Sequence, residues 1–394
     1  MIRPRSVIVL LGTRPEAIKM APVILELRRH PYYDVTIVST GQHREMMQPI
    51  LNFFGIEPDL DLDLMRPGQS LPDISAAVLA GLERAFGTQK VDGIFVQGDT
   101  ASCMAASLWG FLKRVPVFHV EAGLRTGDLT SPWPEEFNRR LTAVATTLHF
   151  APTPRSAFNL VQEGHARESV HMVGNTVIDA LLHVSRRLDS EPELKAELET
   201  QFAFLNPAKK LLLATVHRRE NFGLGLKQIF KALRCLAERE DVQVVLPLHL
   251  NPQVQSAARE ILTGSPVILI EPQAYVAFVY LMKRADLLLS DSGGVQEEAP
   301  ALGKPVLVLR ETTERPESVE AGNCILVGTQ TVKILTLAHE LLHNSSAVEA
   351  MRIPRHPYGH GDSSQRIVRL VSEYLQMGQT AADQDAAAEL SALG

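Results

Sequence analysis

At 394 residues, with 45% apolar and 21% charged side chains, the chain is too long for one ordinary core and too apolar for disorder, so two domains of roughly 150–200 residues are expected. A net charge of −6 argues against a nucleic-acid surface held by general electrostatics, and an anionic ligand would need locally placed Arg and Lys. Cys103, Cys235 and Cys324 stand far apart with no CxxC pair, which fits a reducing cytoplasm and argues against a metal-thiolate site. Val7–Leu11 is too short for a secretion signal, and no run approaches the roughly 18 apolar residues of a membrane span. The expectation is a soluble, cytoplasmic protein with no metal.

Short apolar runs alternate with helix-period segments from one end to the other. Strands are expected at Ser6–Leu11, Asp34–Thr40, Gly93–Gln97, Val117–Val120 and Leu148–Ala151, then at Leu211–Thr215, Val242–Leu246, Val267–Ile270, Leu287–Ser290 and Pro305–Leu309. This βαβα rhythm predicts parallel sheets covered on both faces. The first five strands precede Arg155–Val173 and the second five follow Asn206. The fold class is therefore α/β, with two doubly wound Rossmann-like domains facing a central cleft. The boundaries fall at 1–173 and 174–364, and the tail 377–394, rich in Ala, Asp and Gln, reads as frayed or disordered. Ligands of open α/β sheets bind beyond the carboxyl ends of the strands, so the loops there carry the chemistry.

After the first strand comes Gly12-Thr-Arg-Pro-Glu16. Pro15 suits the first turn of a helix, and Arg14 and Lys19 can then face a phosphate. The alternative is an N-cap with solvated cations. Gln97-Gly-Asp-Thr100 follows the third strand and His119-Val-Glu-Ala-Gly-Leu-Arg125 the fourth, with Pro134-Glu-Glu-Phe-Asn-Arg139 a little beyond. Any one of Asp99, Glu121 and Glu135 is more often a cap or a surface charge. Three at successive strand ends instead predict an acid/base group, because crowded carboxylates shift one another's pKa values and divide the roles.

In the second half, His217-Arg-Arg-Glu-Asn221 follows a strand, and His217 reads as an acid/base or phosphate-contacting group in competition with a capping role. Gln273 and Phe278 follow the strand ending at Ile270 and could hold a uracil-like base, although core packing is the commoner fate of a lone Phe. The densest signal is Leu287–Glu298: a buried strand, Ser-Asp-Ser, then Gly293 and Gly294 opening a helix. Backbone N–H groups there are unpaired and carry the positive end of the helix dipole. The glycines let an anion approach, and Glu298 stands one turn further on, where it could accept from ribose hydroxyls. A nucleotide diphosphate is the expected ligand. Arg315, after the last strand, is either a salt-bridged loop residue or a second cation over that diphosphate. No GxGxxG opens a helix after the first strand, and GxxxxGK[ST] and Cys/His metal spacing are absent, which argues against nicotinamide, P-loop and metal chemistry.

Together the motifs at 12–19, 97–100, 119–125, 134–139, 174–179, 217–221 and 290–299 resemble those of the non-hydrolysing UDP-N-acetylglucosamine 2-epimerases, and the likeness runs from about residue 6 to about residue 372. The resemblance implies a GT-B-like fold, interconversion of UDP-GlcNAc and UDP-ManNAc, no cofactor, usually a homodimer, and a last helix near 365–376 that returns to the first domain. By motif it implies an acid/base set of Asp99, Glu121, Glu135 and His217. It likewise implies UDP contacts at Arg14, Lys19, Gln273, Phe278, Ser292, Gly294, Glu298 and Arg315. Gln42 and His249 match positions that hold an activating second UDP-GlcNAc in some members, whereas Glu45 and Gly68 depart from that pattern. Val216 also departs, since a small residue commonly precedes the histidine.

The chemistry agrees. The C2 proton of the sugar is not alpha to a carbonyl, so a base cannot simply remove it. Breaking the anomeric C–O bond, beforehand or in concert, acidifies it. Such a site must stabilise departing UDP and position a base. Hydrolysis to ManNAc and UDP, or action on a diacetamido-uronate nucleotide, are the neighbouring possibilities.

Overall fold

The computed structural model describes residues 3–66 and 68–392, the side chains of Ser345 and of 378–392 excepted. Of the tail 377–394, residues 377–392 continue the last helix, and residues 393–394 lie outside the described residues. The chain divides into two compact units, Met1–Ala180 with Gly359–Gly394, and Leu181–Tyr358.

The first unit is built on a seven-stranded parallel sheet in the order β3-β2-β1-β4-β5-β6-β7. Its strands are β1 Arg5–Leu11, β2 Tyr33–Ser39, β3 Leu60–Asp61, β4 Gly93–Gln97, β5 Val117–Val120, β6 Leu148–Ala151 and β7 Val170–Met172. Val7–Leu11 and all of β4 and β5 are buried on both faces, which is why they read as continuous apolar runs rather than alternating ones. The second unit carries a six-stranded parallel sheet in the order β10-β9-β8-β11-β12-β13. These strands are β8 Lys210–Thr215, β9 Val242–Pro247, β10 Ile268–Ile270, β11 Leu287–Ser290, β12 Val306–Val308 and β13 Cys324–Leu326. Two doubly wound units of this kind make the chain GT-B-like.

Both sheets reverse their strand order in the middle, at β1/β4 and at β8/β11. A loop leaving one of these strands goes to one side and its neighbour's loop to the other, which opens a crevice at the carboxyl ends. Residues 12–19, 98–100, 216–221 and 291–298 all leave these four strands.

The ten expected strands form, with ends shifted by a residue or two. β3, β7 and β13 were not expected. Each has two or three residues at a sheet edge, too short to show a period, and each exists because a neighbour offers unpaired backbone groups. β7 lies inside Arg155–Val173, where the helix covers only Pro154–Gln162.

The last helix, Ser363–Ala392, belongs to the first unit. Its start is capped by the buried carboxylate of Asp179, which accepts from the backbone N–H groups of Ser363 (3.3 Å) and Ser364 (2.8 Å) and from Ser364 Oγ (2.6 Å). Further along, Tyr33 Oη meets Ser372 Oγ at 2.6 Å and Arg5 Nη2 donates to the Leu375 carbonyl at 3.2 Å. Gly359 has φ +104° and sits so close to Gly174 that a Cβ on it would lie 3.1 Å from the Gly174 Cα, so a side chain there would push the returning segment away.

His119 and His149 face each other in register across β5 and β6, and both are buried. Burial lowers the His119 pKa to about 4. Burial, reinforced by His119, His165 and Arg125, lowers that of His149 to about 2. Both rings are thus neutral in the fold but charge in the unfolded chain below its ordinary value of 6.5, so the unfolded state binds more protons there. Stability should fall as pH drops below 6.5, by about 1.4 kcal/mol per pH unit for each ring. His149→Gln should remove one share of that slope in urea unfolding between pH 6.5 and 5; equal slopes for variant and parent would refute this.

Candidate active site

The turn after β1 is fixed by Glu16. This buried carboxylate accepts from the N–H groups of Gly12 and Thr13, both at 2.6 Å, and from Thr100 Oγ1 at 2.6 Å. It therefore ties the loop after β1 to the loop after β4. Burial raises its pKa against the pull of these hydrogen bonds. Arg14, partly buried, opens the helix Arg14–Arg29. Lys19, which the motif places on a phosphate, reaches across to Glu121 Oε1 at 2.5 Å.

Glu121 follows β5 directly and is buried at φ +65°, a left-handed conformation that costs a residue with a Cβ about 1–2 kcal/mol. Three donors hold it there: Lys19 Nζ, Gln97 Nε2 and Asn175 Nδ2, the last at 3.0 Å on Oε1. All three meet a carboxylate oxygen as acceptor, which is the environment of the ionised form. Gly98, at φ +73°, turns the chain after β4 and brings Asp99 to the same sheet edge. Asp99 Oδ2 pairs with Arg139 Nη2 at 2.5 Å, and Asn138 Nδ2 donates to the Asp99 carbonyl at 2.9 Å.

Glu135 and Glu136 open the helix Glu135–Ala145 and have opposite surroundings. Glu136 is wholly buried and accepts from the N–H groups of Thr126 (3.0 Å) and Gly127 (3.3 Å) and from Arg139 (3.2 Å) and Arg140 (3.3 Å). It is a tether for the preceding loop. Glu135 Oε2, by contrast, is buried with no hydrogen-bond partner among the described residues. Unpaired buried acceptors are rare away from functional sites. Gln42 lies on the same side of the first unit, its Oε1 accepting from Ser102 Oγ at 3.2 Å.

In the second unit the organising residue is Asp291, which the sequence did not single out. Fully buried at the end of β11, it accepts from the N–H groups of His217 (3.0 Å) and Arg218 (2.9 Å) and from Asn221 Nδ2 (3.0 Å). Its Oδ1 also stands 3.3 Å from His217 Nδ1. The loop after β8 is thereby fixed by the strand beside it. Val216 fits as a buried core residue, so its departure from the motif leaves the histidine loop ordered. Burial lowers the His217 pKa; Asp291 opposes that, while Arg218 and His249 add to it. His249 stacks on His217 with ring centres 5.4 Å apart.

Ser292 occupies the N-cap position of the helix Gly293–Ala301 without a side-chain capping bond, its N–H bonded to Ser290 Oγ at 3.0 Å. A Cβ on Gly293 would lie 3.3 Å from Arg218 Nη2 and 3.5 Å from Arg315 Cζ, so two guanidinium groups flank this helix start. Arg218 Nε is buried without a partner among the described residues. Glu314 sets the spacing of the arginines, contacting Arg310 Nη1 at 2.6 Å, Arg315 Nη1 at 3.2 Å and Arg218 Nη2 at 3.5 Å. Burial alone would raise its pKa, but Arg315 and Arg310 prevail and hold it at about 2. Arg315 Nε is also fixed on Glu297 at 2.6 Å. A helix N-terminus with two anchored cations suits a diphosphate.

Glu298 is oriented by Tyr275 Oη at 2.6 Å, and its Oε2 lies 3.7 Å from where a Cβ on Gly294 would be. Gln273 takes a hydrogen bond from Gln201 at 2.9 Å and donates to the Glu271 carbonyl at 2.6 Å, just ahead of the helix Tyr275–Arg284 that carries the half-buried Phe278. The first unit thus gathers Asp99, Glu121 and Glu135, and the second gathers His217, the glycines, Glu298 and Arg315. Among the described residues no cluster of three or more His, Cys, Asp or Glu is disposed to hold a metal ion, and no helix is long and apolar enough to cross a membrane.

These features have counterparts in known proteins. Residues 25–372 match the family model for UDP-N-acetylglucosamine 2-epimerase. The chain is 50% identical over 371 residues to the UDP-N-acetylglucosamine 2-epimerase of Yersinia pestis, covering 94% of this chain and 99% of that one. It is 48% identical over 365 residues to the enzyme of that name from Escherichia coli strain K12, covering 92% and 97%. The crystal structure of the Neisseria meningitidis UDP-GlcNAc 2-epimerase bound to UDP-GlcNAc superposes with a TM-score of 0.88 at 46% identity, covering 93% of this chain and 100% of that one. A match that spans both sheets and nearly the full length of each relative leaves one conclusion: the chain belongs to the UDP-N-acetylglucosamine 2-epimerase family.

Proposed function

We propose that the protein interconverts UDP-GlcNAc and UDP-ManNAc without hydrolysis, by eliminating UDP to a bound 2-acetamidoglucal and adding it back. The observation that carries this reading is a division of labour: one unit carries Asp99 and Glu121 just after β4 and β5, with Glu135 opening the next helix, and the other carries an arginine-flanked helix start. Anomeric C–O cleavage leaves negative charge on the β-phosphate. Arg14, Arg315 and the N–H groups at Ser292–Gly294 would stabilise it, with His217 contacting the same phosphate. Lys19 would share its charge between the diphosphate and Glu121. Glu298 would accept from the ribose hydroxyls, and Gln273 and Phe278 would hold the uracil.

Cleavage also places positive character on C1, which acidifies the C2 proton. Asp99, Glu121 and Glu135 would divide its removal from one face and its return to the other. UDP and the glucal must stay bound between these steps, and water must be kept from C1. In this reading the protein works in the cytoplasm as a homodimer, supplying ManNAc-type sugars for surface polysaccharide. The exposed Phe111, Leu112 and Val144 on helices of the first unit offer an apolar face to a second copy. Gln42 and His249 would hold a second, activating UDP-GlcNAc.

Incubating the protein with UDP-GlcNAc in D2O should give UDP-ManNAc carrying deuterium at C2, followed by NMR. Free ManNAc would instead identify a hydrolysing enzyme. Turnover of a diacetamido-uronate nucleotide, with UDP-GlcNAc left untouched, would identify a different sugar specificity. Arg218→Ala and Gly293→Ala should each weaken UDP binding by on the order of tenfold in calorimetry, which is about 1.4 kcal/mol; unchanged affinity in both would remove the diphosphate from this helix start.

A further inference from the structure

The segment Gly174–Asp179 touches the catalytic candidates without being one of them. Asn175 is buried, at 2% exposure, between β7 and the helix Thr176–Ser190. Its Oδ1 accepts from the N–H of Val177 at 3.1 Å, as an N-cap does, and its Nδ2 donates to Glu121 Oε1 at 3.0 Å. The cap settles the orientation of the amide, because a backbone N–H can only donate and must face the oxygen. The NH2 group is therefore turned to Glu121, and the oxygen it meets is an acceptor. Four residues on, Asp179 caps the returning helix through Ser363 and Ser364. One helical turn thus joins the Glu121 carboxylate to the docking of the C-terminal helix.

We infer that Asn175 is a positioning residue that keeps Glu121 ionised and aimed, so that Glu121 is available to accept a proton. The inference rests on the proposed epimerisation for its kinetic consequence. Glu121 needs such support because its φ of +65° is a strained conformation that no strand or helix stabilises. Among the groups facing it are Lys19 from the first helix and His119 from β5, together with the amides of Gln97 and Asn175. His119 is neutral at working pH, its pKa lowered to about 4 by burial. Lys19 is then the named cation, and a new anion at position 175 would compete with Glu121 for it.

Asn175→Asp makes that change at constant shape. Aspartate caps a helix as well as asparagine does, so the Val177 N–H keeps its acceptor. Its second oxygen would face Glu121 Oε1 and favour a shared proton. The acid limb of the kcat/KM profile for UDP-GlcNAc should move up by about one pH unit or more, with the rate on that limb reduced by up to about tenfold for each unit and regained at higher pH. Asn175→Ser keeps a capping oxygen but cannot reach Glu121; with one donor lost and no anion added, it should move the limb up by less than Asn175→Asp does, and thermal unfolding of both variants should stay within a few degrees of the parent. An Asp variant that folds normally and shows the parental pH profile would overturn the inference. Should the parent itself fail to put deuterium into C2, the proposed function fails instead, and the two failures are told apart by that control.

Discussion

A carboxylate buried at the end of a parallel strand has to be matched by donors, and the remainder of this architecture follows from where those donors come from. Parallel strands covered by helices leave polar chemistry only at their carboxyl ends. At those ends Glu16, Glu121 and Asp291 are nearly or wholly buried, and each takes at least one hydrogen bond from a neighbouring strand or the loop after it. The loops are therefore fixed to one another as well as to their own strands. Removing one such carboxylate would leave several N–H groups unpaired at once, each at a cost of about 1–3 kcal/mol.

The same logic gives the strand ends of the two units opposite charge. In the first unit Glu121 is surrounded by donors and Asp99 is paired with Arg139, while Glu135 retains a buried oxygen without a partner among the described residues. The three carboxylates thus differ in the donors around them, and the proposed reaction would give them different parts. In the second unit Glu314 holds Arg218, Arg310 and Arg315 in position, and the guanidinium groups of Arg218 and Arg315 stand beside Gly293. A pre-positioned cation needs no reorganisation when charge develops on a leaving group.

Much of this was readable from the residues alone. The ten expected strands and the polar residue at each strand end are local patterns, and the Gly293–Gly294 helix start is a local motif. What escaped notice depends on partners distant in sequence. Asn175 and Glu121 lie 54 residues apart, and Asp291 and Arg218 lie 73 apart. A lone Asp or Asn gives no sign of such burial. Glu135 and Glu136 are adjacent and chemically identical; the helix direction alone turns one into a tether and leaves the other an unpaired oxygen. Lys19 reads as a phosphate ligand because its position on the helix is right, but its nearest anion in the fold is Glu121. β3, β7 and β13 show no period because they are only two or three residues long.

The central claim is that the bond between sugar and UDP breaks and re-forms during each turnover. Positional isotope exchange tests it directly. UDP-GlcNAc carrying 18O in the bridge between C1 and the β-phosphate is incubated with the protein, and the label is followed by 31P NMR. If UDP departs and returns, rotation of the freed β-phosphate will scatter the label into its non-bridging oxygens as epimerisation proceeds. Label that stays wholly in the bridge through complete epimerisation would contradict the account.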